Sequence, residues 1–191
     1  MRARWTQAGM RTVAAEERRG LGLSRFAALD PYLLAEEHGI PVYPLEALAD
    51  GPRAEAAVRH FTSERSTVWS AAIIPVGSSR IIIENTAHSE ARRRASLAHE
   101  LAHHLLEHEF AELLLTEDGC RRFDAGMEKE AKFISAQLLI PDEAAKRAAF
   151  DGKTNAEVAA AYGVSEQFAQ MCMAGPRVMA QRALAKQARA R

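Results

Sequence analysis

Residues 99–103 read His99-Glu100-Leu101-Ala102-His103, and this string constrains the fold more than any other part of the chain. Two imidazoles four residues apart stand nearly one above the other on an α-helix. There they can grip one metal ion, while the carboxylate next to the first imidazole hangs beside the open side of that ion. Such an arrangement holds zinc and activates a water. The competing reading is a histidine-rich solvent face on an amphipathic helix.

The surroundings favour the first reading. Ser89 to Glu109 reads as one helix, with Ser89 as N-cap and Glu90 in the first turn, where the helix dipole favours a carboxylate. Ala91, Ala95, Ala98, Ala102 and Leu105 recur at spacings of four and three, forming a narrow apolar stripe. At about 100° per residue, His99 and His103 fall on the flank of that stripe, where the core can anchor them while they face a cleft. Glu100 turns away from direct ligation but stays close enough to touch a bound water. His104 projects roughly 120° from the pair and reads as exposed. His108, a turn further on, reads as part of a solvated helix end.

Zinc needs at least three protein ligands, so a third must come from elsewhere. Residues 128–141 form a second helix by pattern, with Met127, Ala131, Ile134 and Leu138 on its buried face and Pro141 as its terminator. Glu128 and Glu130 compete for the role. They project roughly 160° apart, so they cannot both serve one ion. The helical wheel puts Glu130 about 70° and Glu128 about 90° from the apolar centre, a slight preference for Glu130. Glu128 also has Lys132 as an i+4 partner, which Glu130 lacks. Cys120, between the two helices, is a further soft donor, although a partly buried free thiol is the simpler reading. Cys172 is distant and in no C-x-x-C spacing.

Taken together, the run Arg80 to Asn85 (RIIIEN), Arg92 to His108 (RRRASLAHELAHHLLEH) and residues 128–141 (EKEAKFISAQLLIP) resemble the ImmA/IrrE family of metallopeptidases. The stretch Leu29 to Val42 (LDPYLLAEEHGIPV) is similar to that family's opening helix and strand. The likeness spans roughly residues 28–175. It implies that His99 and His103 bind the metal, that Glu100 is catalytic, and that Glu130 is the third ligand. It implies one Zn²⁺, or another divalent ion, as cofactor. As substrate it implies a helix-turn-helix transcriptional repressor, whose cleavage releases stress-response or mobile-element genes. Lys132 and Ile134 depart from the family pattern, which often has Asn and an aromatic there.

The rest of the chain suits such a domain. Its 191 residues and 48% apolar content suffice for one packed core. Two cysteines without a disulfide framework, no apolar leader and no stretch near 18 apolar residues point to a cytoplasmic, non-membrane protein. The net charge is zero, yet residues 1–25 and 177–191 together carry +9 and the body −9. The ends read as solvated basic segments, that at residues 1–25 partly disordered.

Between them the pattern predicts a helix over residues 30–38 after Asp30-Pro31, an extended Val42-Tyr43 and a brief helix from Leu45 to Asp50. Three strand candidates follow, Ala56 to Phe61, Val68 to Ile74 and Arg80 to Glu84, the last two joined by a turn at Pro75 to Ser79. The expected fold is α+β, a small antiparallel three-stranded sheet covered by helices. The expected organisation is a zincin-like core over residues 26–150, a helix-turn-helix-like segment over 151–176 and a basic tail.

Residues 155–171 (NAEVAAAYGVSEQFAQM) have the form of a helix-turn-helix. Between Gly163 and Gly175, however, there is no Lys or Arg, and Glu166 opens the second helix. Direct DNA binding is therefore not expected, because phosphate contacts need cations. Two functions remain. One is a zinc endopeptidase acting on a protein. The other is a non-catalytic regulator or binding module whose metal site is structural, with His108 or Cys120 as a fourth ligand. No single group stands out to stabilise an oxyanion among Tyr32, Tyr43, His60 and His88.

Overall fold

The computed structural model describes residues 5–108 and 125–189. Cys120 and the expected helix end at Glu109 lie outside the described residues. The fold is α+β, with a three-stranded sheet and eight α-helices among the described residues: α1 (Gln7–Gly20), α2 (Pro31–Glu37), α3 (Pro52–Arg59), α4 (Glu90–Leu105), α5 (Ala125–Leu139), α6 (Asp142–Phe150), α7 (Asn155–Tyr162) and α8 (Glu166–Arg189). The strands are β1 (Val42–Pro44), β2 (Ala71–Val76) and β3 (Ser79–Glu84).

The sheet is mixed rather than purely antiparallel. β3 is central, with β2 antiparallel on one side and β1 parallel on the other. The β2–β3 hairpin forms where expected, and Gly77 supplies the positive φ of 60° that a two-residue turn demands. The third strand is Val42–Pro44, not Ala56 to Phe61. Those residues belong to α3 and the π-helical turn His60–Glu64 that follows it. Pro52 sits in the first turn of α3, and three alanines follow before Val58, so helix propensity outweighs the weak alternation.

Two apolar clusters meet on α4. Leu97, Leu101 and Ala102 enter the first, with Met10, Leu34, Ile73, Ile82, Ala131, Ile134 and Leu138. Ala98 enters the second, with Leu139, Ile140, Val158, Val164, Ala169 and Met173. Full burial of a Leu or Ile side chain contributes about 1.5–3 kcal/mol. With both of these flanks occupied, α4 is held rigidly and its remaining face is free to carry chemistry.

Residues 5–25 are more structured than a solvated tail. Met10, Ala14 and Arg18, four apart, bury one face of α1 against the core, and α1 packs on α5. Arg18 donates to the backbone oxygens of Leu138 (2.5 Å), Ser24 and Ala27, tying α1 to α5 and the following loop. Arg18, one of the positive charges at this end, therefore serves packing.

Residues 155–189 fold as α7, a turn and α8, and α8 continues to Arg189 through the stretch read as a basic tail. Thr154 and Glu157 make a capping box at the start of α7. Gly163 ends the helix at φ 64°, and Arg94 of α4 donates to its oxygen at 3.0 Å. A Cβ on Gly163 would stand 2.9 Å from the Arg94 Nε, so both conformation and close approach call for glycine here. Among the described residues, no helix is long and apolar enough to cross a membrane.

Candidate metal centre

The flank of α4 presents His99 and His103 to the start of α5. Their Nε2 atoms lie 3.2 Å apart. Glu128 closes the set, with one carboxylate oxygen 3.4 Å from His99 Nε2 and the other 3.2 Å from His103 Nε2. Ions bound tetrahedrally at roughly 2.0–2.1 Å from nitrogen and oxygen hold neighbouring donors roughly 3.3 Å apart. Two imidazoles and a carboxylate at this spacing therefore fit zinc or a similar divalent ion. No other His, Cys, Asp or Glu cluster of this kind occurs among the described residues.

The centre is closed on one side and open on the other. The His103 side chain is fully buried, whereas His99 and Glu128 keep 23% and 30% of their side-chain exposure. Burial lowers the pKa of His99 below the ordinary imidazole value, with the Glu128 charge opposing. A neutral ring keeps the lone pair that a metal needs. The open side meets a cleft of about 330 Å³ lined by Ser70, Ala71, Arg92, His99, Glu100 and Lys132, among others. Glu100 reaches this cleft from a buried position, and its Oε2 accepts the backbone N–H of Ile73 at 3.0 Å. Because β2 is an edge strand, that contact ties the Glu100 carboxylate to the sheet margin nearest the metal donors.

Residues 35–173 match the family described as the IrrE N-terminal-like domain. The chain belongs to that family of metallopeptidases. No curated protein matches it. The IrrE-like match takes in both histidines, both competing glutamates and α7, while α1 lies outside it.

Within this IrrE-like frame the carboxylate that lies beside the two imidazoles is not the one the resemblance implied. The resemblance pointed to Glu130, but it is Glu128 that stands beside the imidazole pair. Glu130 turns the other way. Its Oε1 accepts the backbone N–H of Trp5 at 3.0 Å and its Oε2 lies 3.2 Å from His108 Nε2. The reason is the pair of neighbours that α5 has, α4 on one flank and α1 on the other. Angle from the apolar centre does not say which flank meets α4, so it could not rank the two carboxylates.

His108 is also misplaced by its spacing. It is buried rather than solvated, and its Nδ1 lies 2.8 Å from His103 Nδ1. Helix α4 ends at Leu105, and Glu107 turns the chain with φ 50°. The N–H of Glu107 then reaches the oxygen of His104, and that of His108 the oxygen of His103. This is a Schellman turn with a side-chain residue where glycine is usual, and it folds His108 back beneath the ligand pair. His104 is half-buried instead of exposed, against Arg80 and the His38 ring. Burial, then the Arg80 and His38 charges, push its pKa down to about 4.

The four oxyanion candidates separate. Tyr32 donates to Glu84 at 2.7 Å, its pKa raised to about 12 by burial first and Glu84 second. Tyr43 is exposed on β1, at the opposite sheet edge from β2, and His60 faces Glu64 at 3.1 Å. His88 alone borders the cleft, through Ser70 Oγ at 3.2 Å. Sequence reasoning passed over Arg92 and Lys132 on the cleft wall. The departure of Lys132 from the family pattern was the available signal.

Proposed function

We propose that this metallopeptidase is a zinc-dependent endopeptidase in which His99, His103 and Glu128 hold the ion and Glu100 moves the proton. The observation that carries the reading is the three-donor set opening onto the cleft that Glu100 lines. Structural zinc sites are usually closed by four protein ligands, and catalytic ones keep a position open.

A bound divalent ion would supply Lewis acidity, lowering the pKa of water toward about 7 and polarising a carbonyl. The chain's own groups do the rest. Glu100 accepts the proton of the attacking water at its carboxylate as the carbon–oxygen bond forms. It then returns that proton to the amine nitrogen as the carbon–nitrogen bond breaks. The Ile73 N–H fixes Glu100 for both transfers. Apart from the Ile73 N–H that Glu100 already uses, the edge of β2 offers backbone groups to an extended peptide, which aligns a scissile bond with the cleft. Lys132 and Arg92 supply positive charge where the carbonyl oxygen gains negative charge.

The substrate we infer is a helix-turn-helix transcriptional repressor, so that cleavage derepresses stress-response or mobile-element genes. The family resemblance supports this; the lack of cations along the exposed start of α8 argues separately against direct action on DNA. The test is to incubate the metal-loaded protein with the repressor encoded beside it, with and without a chelator. Discrete fragments are expected only without chelator. An intact repressor under both conditions, with metal bound, would favour the binding-module reading.

A further inference from the structure

We propose that the N-terminal segment is a strap that positions the metal ligand His103 through Glu130 and His108; this rests on the ligand set assigned above. The segment lies outside the family match, which begins at residue 35. Its contacts nevertheless lead directly to the centre.

The chain of contacts has three links. Trp5 donates its backbone N–H to Glu130 Oε1 at 3.0 Å, and its indole N–H to the Leu106 oxygen at 3.3 Å. Glu130 Oε2 meets His108 Nε2 at 3.2 Å. His108 Nδ1 meets His103 Nδ1 at 2.8 Å. If His103 uses Nε2 for the metal, its proton sits on Nδ1 and is donated to His108 Nδ1. The His108 proton then sits on Nε2 and is donated to Glu130. One assignment of tautomers satisfies both histidine contacts of the relay.

Position and burial give the relay its leverage. The side chains of His103 and His108 are fully buried, and that of Glu130 keeps 12% of its exposure. Hydrogen bonds in such surroundings are strong, and an outer partner that orients a ligand imidazole typically changes metal affinity by about 10–100-fold. The tryptophan grips both ends of the construction, the α4 terminus through Leu106 and α5 through Glu130. Its own place is set by Thr6, which caps α1 by accepting the Gly9 N–H at 3.1 Å. Glu107 at φ 50° carries about 1–2 kcal/mol of strain in the turn that delivers His108. Contacts that hold His108 in place offset that cost.

Glu130 and His108 are therefore positioning residues, and the α1 segment sets how tightly the centre holds its ion. The test compares full-length wild type with Trp5→Ala and Trp5→Phe. Zn²⁺ affinity is read by competition with a chromophoric chelator, geometry by the visible spectrum of the Co²⁺-loaded protein, and folding by circular dichroism. Trp5→Ala should weaken Zn²⁺ binding about tenfold and shift the Co²⁺ bands while the fold persists. Both variants keep the backbone N–H to Glu130 and lose the indole N–H to Leu106; Trp5→Phe, which also keeps a ring to pack there and so holds that N–H in place, should recover most of the affinity.

Ring ¹⁵N resonances of His103 and His108 in the metal-free protein give a readout independent of the ion. They should move in Trp5→Ala. A folded Trp5→Ala protein with wild-type Zn²⁺ affinity, Co²⁺ spectrum and ring resonances overturns the proposal. If wild type binds no Zn²⁺, it is the ligand assignment that fails. The hold on His103 is then decided by the ring resonances alone, and unmoved resonances overturn it.

Discussion

Glu100→Gln should lower peptide cleavage by about 10²–10⁴-fold while the protein stays folded and loaded with metal. The loss corresponds to roughly 3–5 kcal/mol of transition-state stabilisation. Gln keeps an oxygen that can accept the Ile73 N–H, so the tie to β2 survives. It cannot accept the proton of the attacking water at neutral pH. The loss should therefore fall on kcat rather than on KM, since substrate alignment along β2 is untouched. Metal content is measured on the same sample by elemental analysis. Unchanged cleavage by a metal-replete Glu100→Gln protein would remove Glu100 from the reaction.

The second large effect separates two glutamates that are two residues apart. Glu128→Ala should weaken Zn²⁺ binding by at least about 100-fold. Zinc affinities on the order of 10–16 kcal/mol shared over four ligands amount to about 3 kcal/mol for each. Glu130→Ala should weaken binding less, by about 10–100-fold, because it acts through His108. Stability orders the pair the opposite way. Glu130→Ala removes the acceptor of the Trp5 N–H and the partner of a buried His108, costing about 1–3 kcal/mol. That should lower the melting midpoint of the metal-free protein by several degrees. Glu128 is a partly exposed side chain in that state, and its removal should leave the midpoint near wild type. Chelator competition and thermal unfolding of both variants check this crossed pattern. A larger affinity loss in Glu130→Ala than in Glu128→Ala would return the third-ligand role to Glu130.

What the residues disclose on their own follows the reach of each interaction. Helix α4 and its histidine pair are written in local spacing, as are the Asp30-Pro31 start of α2 and the hairpin at Gly77. Contacts that depend on which element lies alongside are not. β1 is three residues long and gains strand character only by pairing with β3 across forty residues. Glu128 and Glu130 differ in which neighbour their flank meets, and that is set by α1 and α4 jointly. His108 carries no glycine signal at Glu107 to announce the turn that buries it. Trp5 reaches Glu130 across 125 residues of sequence, beyond any periodicity.

Anomalous diffraction from crystals of the Zn²⁺-loaded protein is the most direct test of the centre. One peak is expected within about 2.0–2.2 Å of His99 Nε2, His103 Nε2 and a Glu128 oxygen, with the fourth side turned to the cleft that Glu100 lines. A peak bound by the Glu130 carboxylate, or enclosed by four protein side chains, would contradict it.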